Sequence, residues 1–411
     1  MYDQRECREK KNSFSRRNFM AGAAGAVAGF SIMKPSLAKG FEANSRIEVG
    51  FVGFGGRGSL IARLMTGNHK GYQIVSAADY FDSVVQKAGE KFNVAKDRRF
   101  SGLNGYKKVI GSKVDAMFFE TPPCFFPEHV AASVAAGCNT YFAKPIACDV
   151  PGCLSILESG KKATKNGQVF LVDYQIPTNE FNIETVKRVR EGQIGKLSML
   201  NSTYYDSGFG DPPKTDTIAS RLTRLIWVND VELGGGMIVN CDIHSVDAGM
   251  WLAGARPVSA MGCSRVAREH HGNTRDMYSI TYQYEDGLIH NHIGEHARNM
   301  SPGQIHCEAW GDKGYAEISY GKKAHIRSNK GIYKGGEVKN LYVAGINSNL
   351  DKFETAVRES NYKNDTLERG VDSALATILG REAGMRNGML TMDEMIRENK
   401  KYEFDTTGLK A

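Results

Sequence analysis

The sequence predicts an α/β chain of two lobes, a doubly wound parallel sheet followed by an α+β lobe on an open, mainly antiparallel sheet. Three observations carry this. A glycine-rich loop, Gly50-Phe-Val-Gly53-Phe-Gly55-Gly56-Arg57-Gly58, directly follows the apolar run Ile47-Glu48-Val49. Short apolar strands then alternate with helical stretches to about residue 170. Beyond it the pattern changes to runs such as Tyr278-Ser-Ile-Thr-Tyr-Gln-Tyr284, whose alternation suits half-buried antiparallel strands.

Each element has its own reason. In the loop, Gly53 permits a tight turn and Gly55 lets the backbone approach a bound group. Gly58 lets the following helix, from Ser59 onward, pack closely on its strand. The next apolar run, Gln73-Ile-Val-Ser-Ala-Ala78, ends in Asp79, twenty-six positions after Gly53. Strand, glycine loop, helix, strand and terminal acid make up the Rossmann dinucleotide-binding arrangement, with the helix N–H groups facing a pyrophosphate. Gly53, Gly55, Gly56, Arg57, Gly58 and Asp79 are therefore expected at the cofactor. Asp79 can accept both ribose hydroxyls and repels a 2′-phosphate, which favours NAD; the neighbouring Tyr80 leaves NADP open.

Residues 113–119 read as a strand that Thr121-Pro122-Pro123 stops, and 127–137 as a helix ending at its glycine. The buried strand 139–142 delivers Ala143-Lys144-Pro145 at its carboxyl end, where ligands meet an open parallel sheet. A helix over 150–165 leads into the strand 168–173. A long helix over 178–191 follows, then strands at 278–284 and 287–292, and helical segments at 350–358 and 368–386. The expected lobes are 46–170 and 171–411.

Before the first lobe stands Ser15-Arg16-Arg17-Asn18-Phe19-Met20, then a small apolar stretch to Met33 and the small residues Ser36 and Ala38. Basic, apolar and small segments in that order predict a secretory signal over 1–38, and the arginine pair predicts the twin-arginine export machinery as partner. The apolar stretch is too short to span a bilayer. Periplasmic delivery of a folded chain implies a cofactor loaded before export and held tightly. The signal holds seven Lys/Arg and three Asp/Glu, so removing its +4 leaves about +3 of the total +7. That balance, without any long basic run, argues against nucleic acid as a partner. Seven cysteines remain, none in a C-x-x-C pair, which argues against zinc and fits free core thiols.

The chain resembles the glucose-fructose oxidoreductase, inositol dehydrogenase and rhizopine-catabolism (Gfo/Idh/MocA) family. The matching segments fall in order: the glycine loop, Asp79, Thr121-Pro122-Pro123 with His129, Lys144-Pro145, Gly192-Gln-Ile-Gly195-Lys196, and Gly234-Gly235-Gly236 leading to His244-Ser-Val-Asp247 and Trp251-Leu-Ala-Gly254. The resemblance implies a nicotinamide-dependent oxidoreductase, a metal-free site and a homo-oligomer. It places Thr121, Pro122, His129 and Lys144 by the cofactor. It makes Lys144 the residue that contacts substrate and assists proton transfer, and His244 the general base. Asp242 and Asp247 are candidates to orient the His244 ring. Two positions depart from the pattern: Ala143 replaces the Glu before the lysine, and Asn240 replaces the Asp four residues before His244.

Tyr174, Tyr204, Asn240 and Asp242 are expected to line a sugar or glycoside, whose faces stack on aromatic rings and whose hydroxyls need donors and acceptors. His290, His292, Glu295 and His296 could suggest a metal, but nothing fixes a third ligand. Three functions stay in view: an oxidoreductase of sugar or glycoside alcohols, an NAD-dependent glycosidase working by transient oxidation at C3 and elimination, and a non-catalytic sugar-binding relative.

Overall fold

The computed structural model describes residues 45–297, 299–300 and 302–411, so the expected export signal lies outside the described residues. Among the described residues, β1 (Ile47–Val52), β2 (Tyr72–Asp79), β3 (Arg99–Ser101), β4 (Ala116–Phe119), β5 (Asn139–Ala143) and β6 (Phe170–Asp173) form one parallel sheet. Their order is β3-β2-β1-β4-β5-β6. Helices cover this sheet, and β4, β5 and β6 are buried throughout, as their continuous apolar runs require. The strand order reverses between β1 and β4, so a crevice opens there outside the carboxyl ends. The first helix spans Gly56–Asn68 and starts three residues before Ser59, whose N–H already bonds to Gly55 O at 2.9 Å.

The second sheet has β7 (Leu197–Tyr205), β8 (Ser259–Arg265), β9 (Met277–Gln283), β10 (Ile289–Glu295), β11 (Gln304–Gly311), β12 (Gly314–Ser319), β13 (Ala324–Ser328), β14 (Gly331–Gly336) and β15 (Met389–Thr391). It runs β14-β13-β12-β11-β7-β10-β9-β8-β15. Its pairs are antiparallel except β7 with β10. Along β9 the alternation works as the pattern requires: Tyr278, Ile280 and Tyr282 are buried while Ser279 and Gln283 are exposed. The buried face meets the helices Ile243–Ala253 and Leu367–Arg386.

One helix reaches back. Leu341–Arg358 starts nine residues before 350 and packs Ile346, Leu350, Phe353 and Val357 into the core of the first sheet, beside Phe51, Phe118 and Tyr141. The Tyr72 hydroxyl donates to Leu350 O at 2.6 Å. Burying such side chains stabilises by roughly 1.5–3 kcal/mol each. The described cysteines are free; five are buried and Cys124 partly so, but Cys263 on β8 is exposed and is no core thiol.

Candidate active site

The glycine loop is tight on one side and open on the other. Gly53 has φ +94°, and a Cβ there would stand 2.6 Å from Glu120 O. A Cβ at Gly58 would stand 2.0 Å from Gly53 O, so the helix meets its strand only through glycine. At Gly55 and Gly56 a Cβ would meet nothing within 4 Å. The free space lies beside the first-turn N–H groups, and the first turn holds no acid to compete with a phosphate. The Asp79 carboxylate is fixed by N–H donation from Phe54 to Oδ2 at 2.8 Å and from Phe81 to Oδ1 at 3.0 Å. Burial raises its pKa, opposed by these backbone donors. A lone pair on each oxygen remains for a ribose. These residues fit a dinucleotide.

Pro122 precedes the short turn Pro123–Phe125, and Thr121 Oγ1 lies 3.4 Å from His129 Nδ1. The His129 ring sits among Tyr106, Phe119 and Phe125, with centroids 4.2, 5.3 and 5.7 Å away. Burial brings its pKa down to about 3, so it is a neutral support for Thr121.

Lys144 emerges from the carboxyl end of β5 through a cis peptide to Pro145. Its Nζ donates to Asn240 O at 2.7 Å. Asn240 lies in a π turn, Ile238–Asp242, that leads straight into the helix carrying His244. Such wide turns re-aim backbone groups and recur at functional sites. Burial lowers the Lys144 pKa to about 8, with Arg57 lowering it further and Asp173 and Glu120 opposing. The His244 ring lies edge-on to Tyr320 at 5.1 Å and parallel to Tyr204 at 6.5 Å. Its buried Nδ1 has no partner in the protein. Burial, then Lys144 and Arg57, hold its pKa well below the ordinary histidine value, so the ring is a neutral base.

Beneath Lys144 lies an ion cluster. Arg57 pairs with Asp173 and, at 3.4 Å, with Glu120, and its guanidinium stands 5.0 Å over the Tyr342 ring. Asp173 Oδ1 also accepts from Gln175 Nε2 at 2.8 Å and Asn349 Nδ2 at 2.6 Å. Burial raises the Glu120 pKa to about 8, against the pull of Arg57. Ala143 pairs in register with Asp173. Carboxyl groups at the ends of β4 and β6 thus act on the lysine through space, from either side of a strand whose own last residue is alanine.

Residues 183–317 match the GFO/IDH/MocA C-terminal domain. The inositol 2-dehydrogenase of Klebsiella pneumoniae strain 342 is 23% identical over 292 residues, covering 70% of this chain and 78% of that protein. Two solved structures share the fold. Aldose-aldose oxidoreductase from Caulobacter crescentus aligns with a TM-score of 0.68 at 17% identity, covering 84% of this chain and 99% of its own. GenD2 from gentamicin A biosynthesis, in complex with NAD, aligns with a TM-score of 0.68 at 17% identity, covering 86% and 98%. The domain match and the relatives together support an oxidoreductase.

The predicted polar residues separate into two groups. Tyr204 and Asn240 stand with His244 and Lys144. Asp242 does not: it is wholly buried, accepting from His292 Nε2 at 3.0 Å and His296 Nε2 at 2.8 Å, which lower its pKa despite burial. Tyr174 is buried in the core, where burial and then Asp247 raise its pKa. Asp247 itself accepts from Arg369 Nε at 2.8 Å and Ser373 Oγ at 2.7 Å, so it is engaged away from the His244 ring. His290 meets Ser202 Oγ at 2.7 Å, and among the described residues no group of three or more His, Cys, Asp or Glu is placed to hold a metal ion. Sequence reasoning missed Glu120, Asp173 and Tyr320. The first two carried a usable signal, an acid at the end of an apolar strand, the same signal that singles out Asp79.

Proposed function

We propose that the chain is an exported oxidoreductase that moves hydride between a secondary alcohol of a sugar or glycoside and a tightly held NAD, with NADP the second choice. The observation that carries this reading is the convergence of Lys144, bonded to Asn240 O, and a neutral His244 close enough to be held down by the charges of Lys144 and of Arg57 from the glycine loop. The nicotinamide, when bound, supplies the hydride acceptor. His244 takes the hydroxyl proton, which its free Nδ1 and lowered pKa suit. The Lys144 ammonium holds the developing alkoxide, and its partial desolvation strengthens that contact. Tyr204 and Tyr320 wall the sugar ring. Export rests on Arg16 and Arg17, and homo-oligomer formation on the apolar outer face of the second sheet, where Met261, Ile289 and Ile293 are exposed.

The test is to denature protein purified from the cytoplasm and count released NAD(H), then to add glycosides and follow reduction of the bound cofactor. About one dinucleotide per chain, with a keto-sugar that accumulates until an acceptor is supplied, is expected. Release of an aglycone with exchange of the C2 hydrogen would establish the glycosidase instead. Cofactor binding without either reaction would make the chain a binding protein. Replacing Arg16 and Arg17 by lysine should hold the precursor in the cytoplasm; unchanged delivery would point to the general secretory route.

A further inference from the structure

We propose that residues 404–411 form the outer wall of the adenosine subsite, closing the ribose end of the crevice; this rests on the cofactor reading above. After the helix Met392–Glu398 the chain is first anchored. The Tyr402 N–H donates to Asp149 Oδ2 at 2.9 Å, its hydroxyl donates to Glu382 Oε1 at 2.9 Å, and the Arg381 guanidinium stands 4.7 Å over its ring.

From that anchor the segment crosses the carboxyl ends of the first sheet. Phe404 packs edge-on against Phe125 at 5.5 Å, just past Thr121-Pro122-Pro123 at the end of β4. The chain then turns, with the Thr407 N–H donating to Asp405 Oδ1 at 2.8 Å and the Leu409 N–H to Thr406 O at 3.1 Å. Lys410 docks three times: its N–H donates to the Tyr80 hydroxyl at 3.3 Å, its Nζ to Ser101 Oγ at 2.6 Å, and its carbonyl accepts from the Leu103 N–H at 3.0 Å. Tyr80 follows Asp79, and Ser101 is the register partner of Asp79 on β3. Gly102, with φ +90°, leaves room for the segment, because a Cβ there would stand 2.3 Å from Ala411 O. On its outer side the segment meets the second lobe near Thr217, across a cavity of about 230 Å³ lined by Lys214, Arg221, Glu232 and Phe404.

The span from Phe125 to Tyr80 runs from β4 to β2, the stretch of crevice in which an adenosine held by Asp79 lies. A nucleotide seated there leaves outward only when the segment undocks. Its contacts are few and its residues largely exposed, so undocking is a local opening that leaves both cores intact. The segment therefore sets the rate of cofactor exchange.

The experiment compares the full chain with a chain stopped after Glu403, which keeps the Tyr402 anchor, and with a full-length Phe404→Ala/Lys410→Ala variant. ADP-ribose affinity, the NADH release rate and the cofactor-free unfolding midpoint are measured on each. Both variants should release NADH and ADP-ribose at least about tenfold faster, the loss of one or two hydrogen bonds, with an unchanged midpoint. Equal release and affinity in the shortened chain would overturn the wall, as would tighter ADP-ribose binding, which would mean that the segment occupies the subsite. Failure of the full chain to bind either probe would overturn the cofactor reading, and the wall with it.

Discussion

Asp173→Asn tests the cluster under Lys144 with almost no change in shape. Asp173 is the nearer counter-charge of Arg57, and burial raises the pKa of the other, Glu120, to about 8. The Asp173 side chain is fully buried and that of Arg57 is 19% exposed. Breaking a buried ion pair by removing one partner costs about 3–5 kcal/mol, and the partial exposure of Arg57 puts this case near the lower end. Urea unfolding at neutral pH, extrapolated linearly, should therefore show a loss of about 3 kcal/mol. Arg57→Met/Asp173→Asn should recover a large part of it, because the stranded guanidinium is gone. The penalty has a pH sign as well. Asp173 is one of the groups that raise the Glu120 pKa, so in the single variant Glu120 ionises at a lower pH and takes over as counter-charge of Arg57, and the loss should shrink as pH rises. A loss below about 1 kcal/mol at neutral pH, the scale of an exposed pair, would refute the claim that this cluster is a buried ionic unit.

Three further outcomes follow from the same geometry. Lys144→Met should lower cofactor reduction by sugar at least about a hundredfold. The wild-type rate should fall as pH rises through about 8, where the ammonium is lost, and a profile flat across that range would remove Lys144 from the chemistry. His244→Ala should cost a similar factor with normal dinucleotide content, and the wild-type profile should show no limb near the ordinary histidine pKa, because burial holds this ring neutral; a limb there would contradict the assignment. Asp79→Ala should weaken NAD binding by about 1–3 kcal/mol and loosen the glycine loop, since the Phe54 N–H loses its acceptor; equal affinity by titration would move the ribose contact elsewhere.

Local chemistry made the first lobe legible. The glycine loop announces itself because only glycine fits φ +94° at Gly53 and the contact at Gly58, and β4, β5 and β6 read as strands because they are buried on both faces, whereas the short, polar β3 gave no such signal. Lys144 stood out for a similar reason, lying where a buried strand stops. What the sequence could not show is who stands opposite whom. Arg57 and Asp173 are 116 positions apart, and the partners of Asp242 lie 50 and 54 positions away. Alternation tells which face a residue takes and says nothing of the side chain across from it. That is why Asp242 read as a substrate ligand when two histidines already hold it. His129 was obscured in the same way, because its aromatic surround comes from three separate segments. The π turn at 238–242 left no mark in the apolar pattern, which continues unbroken into the next helix.

The helix Leu341–Arg358 gives the molecule an order of assembly. It supplies Phe353 and Leu350, both fully buried, to a core whose other members lie between residues 47 and 171. A chain emerging from the ribosome therefore carries a first sheet with one flank uncovered until some 170 further residues have been made and every strand of the second sheet but β15 has been spelled out. Completion of the first core and near-completion of the second sheet therefore fall together in the life of one polypeptide.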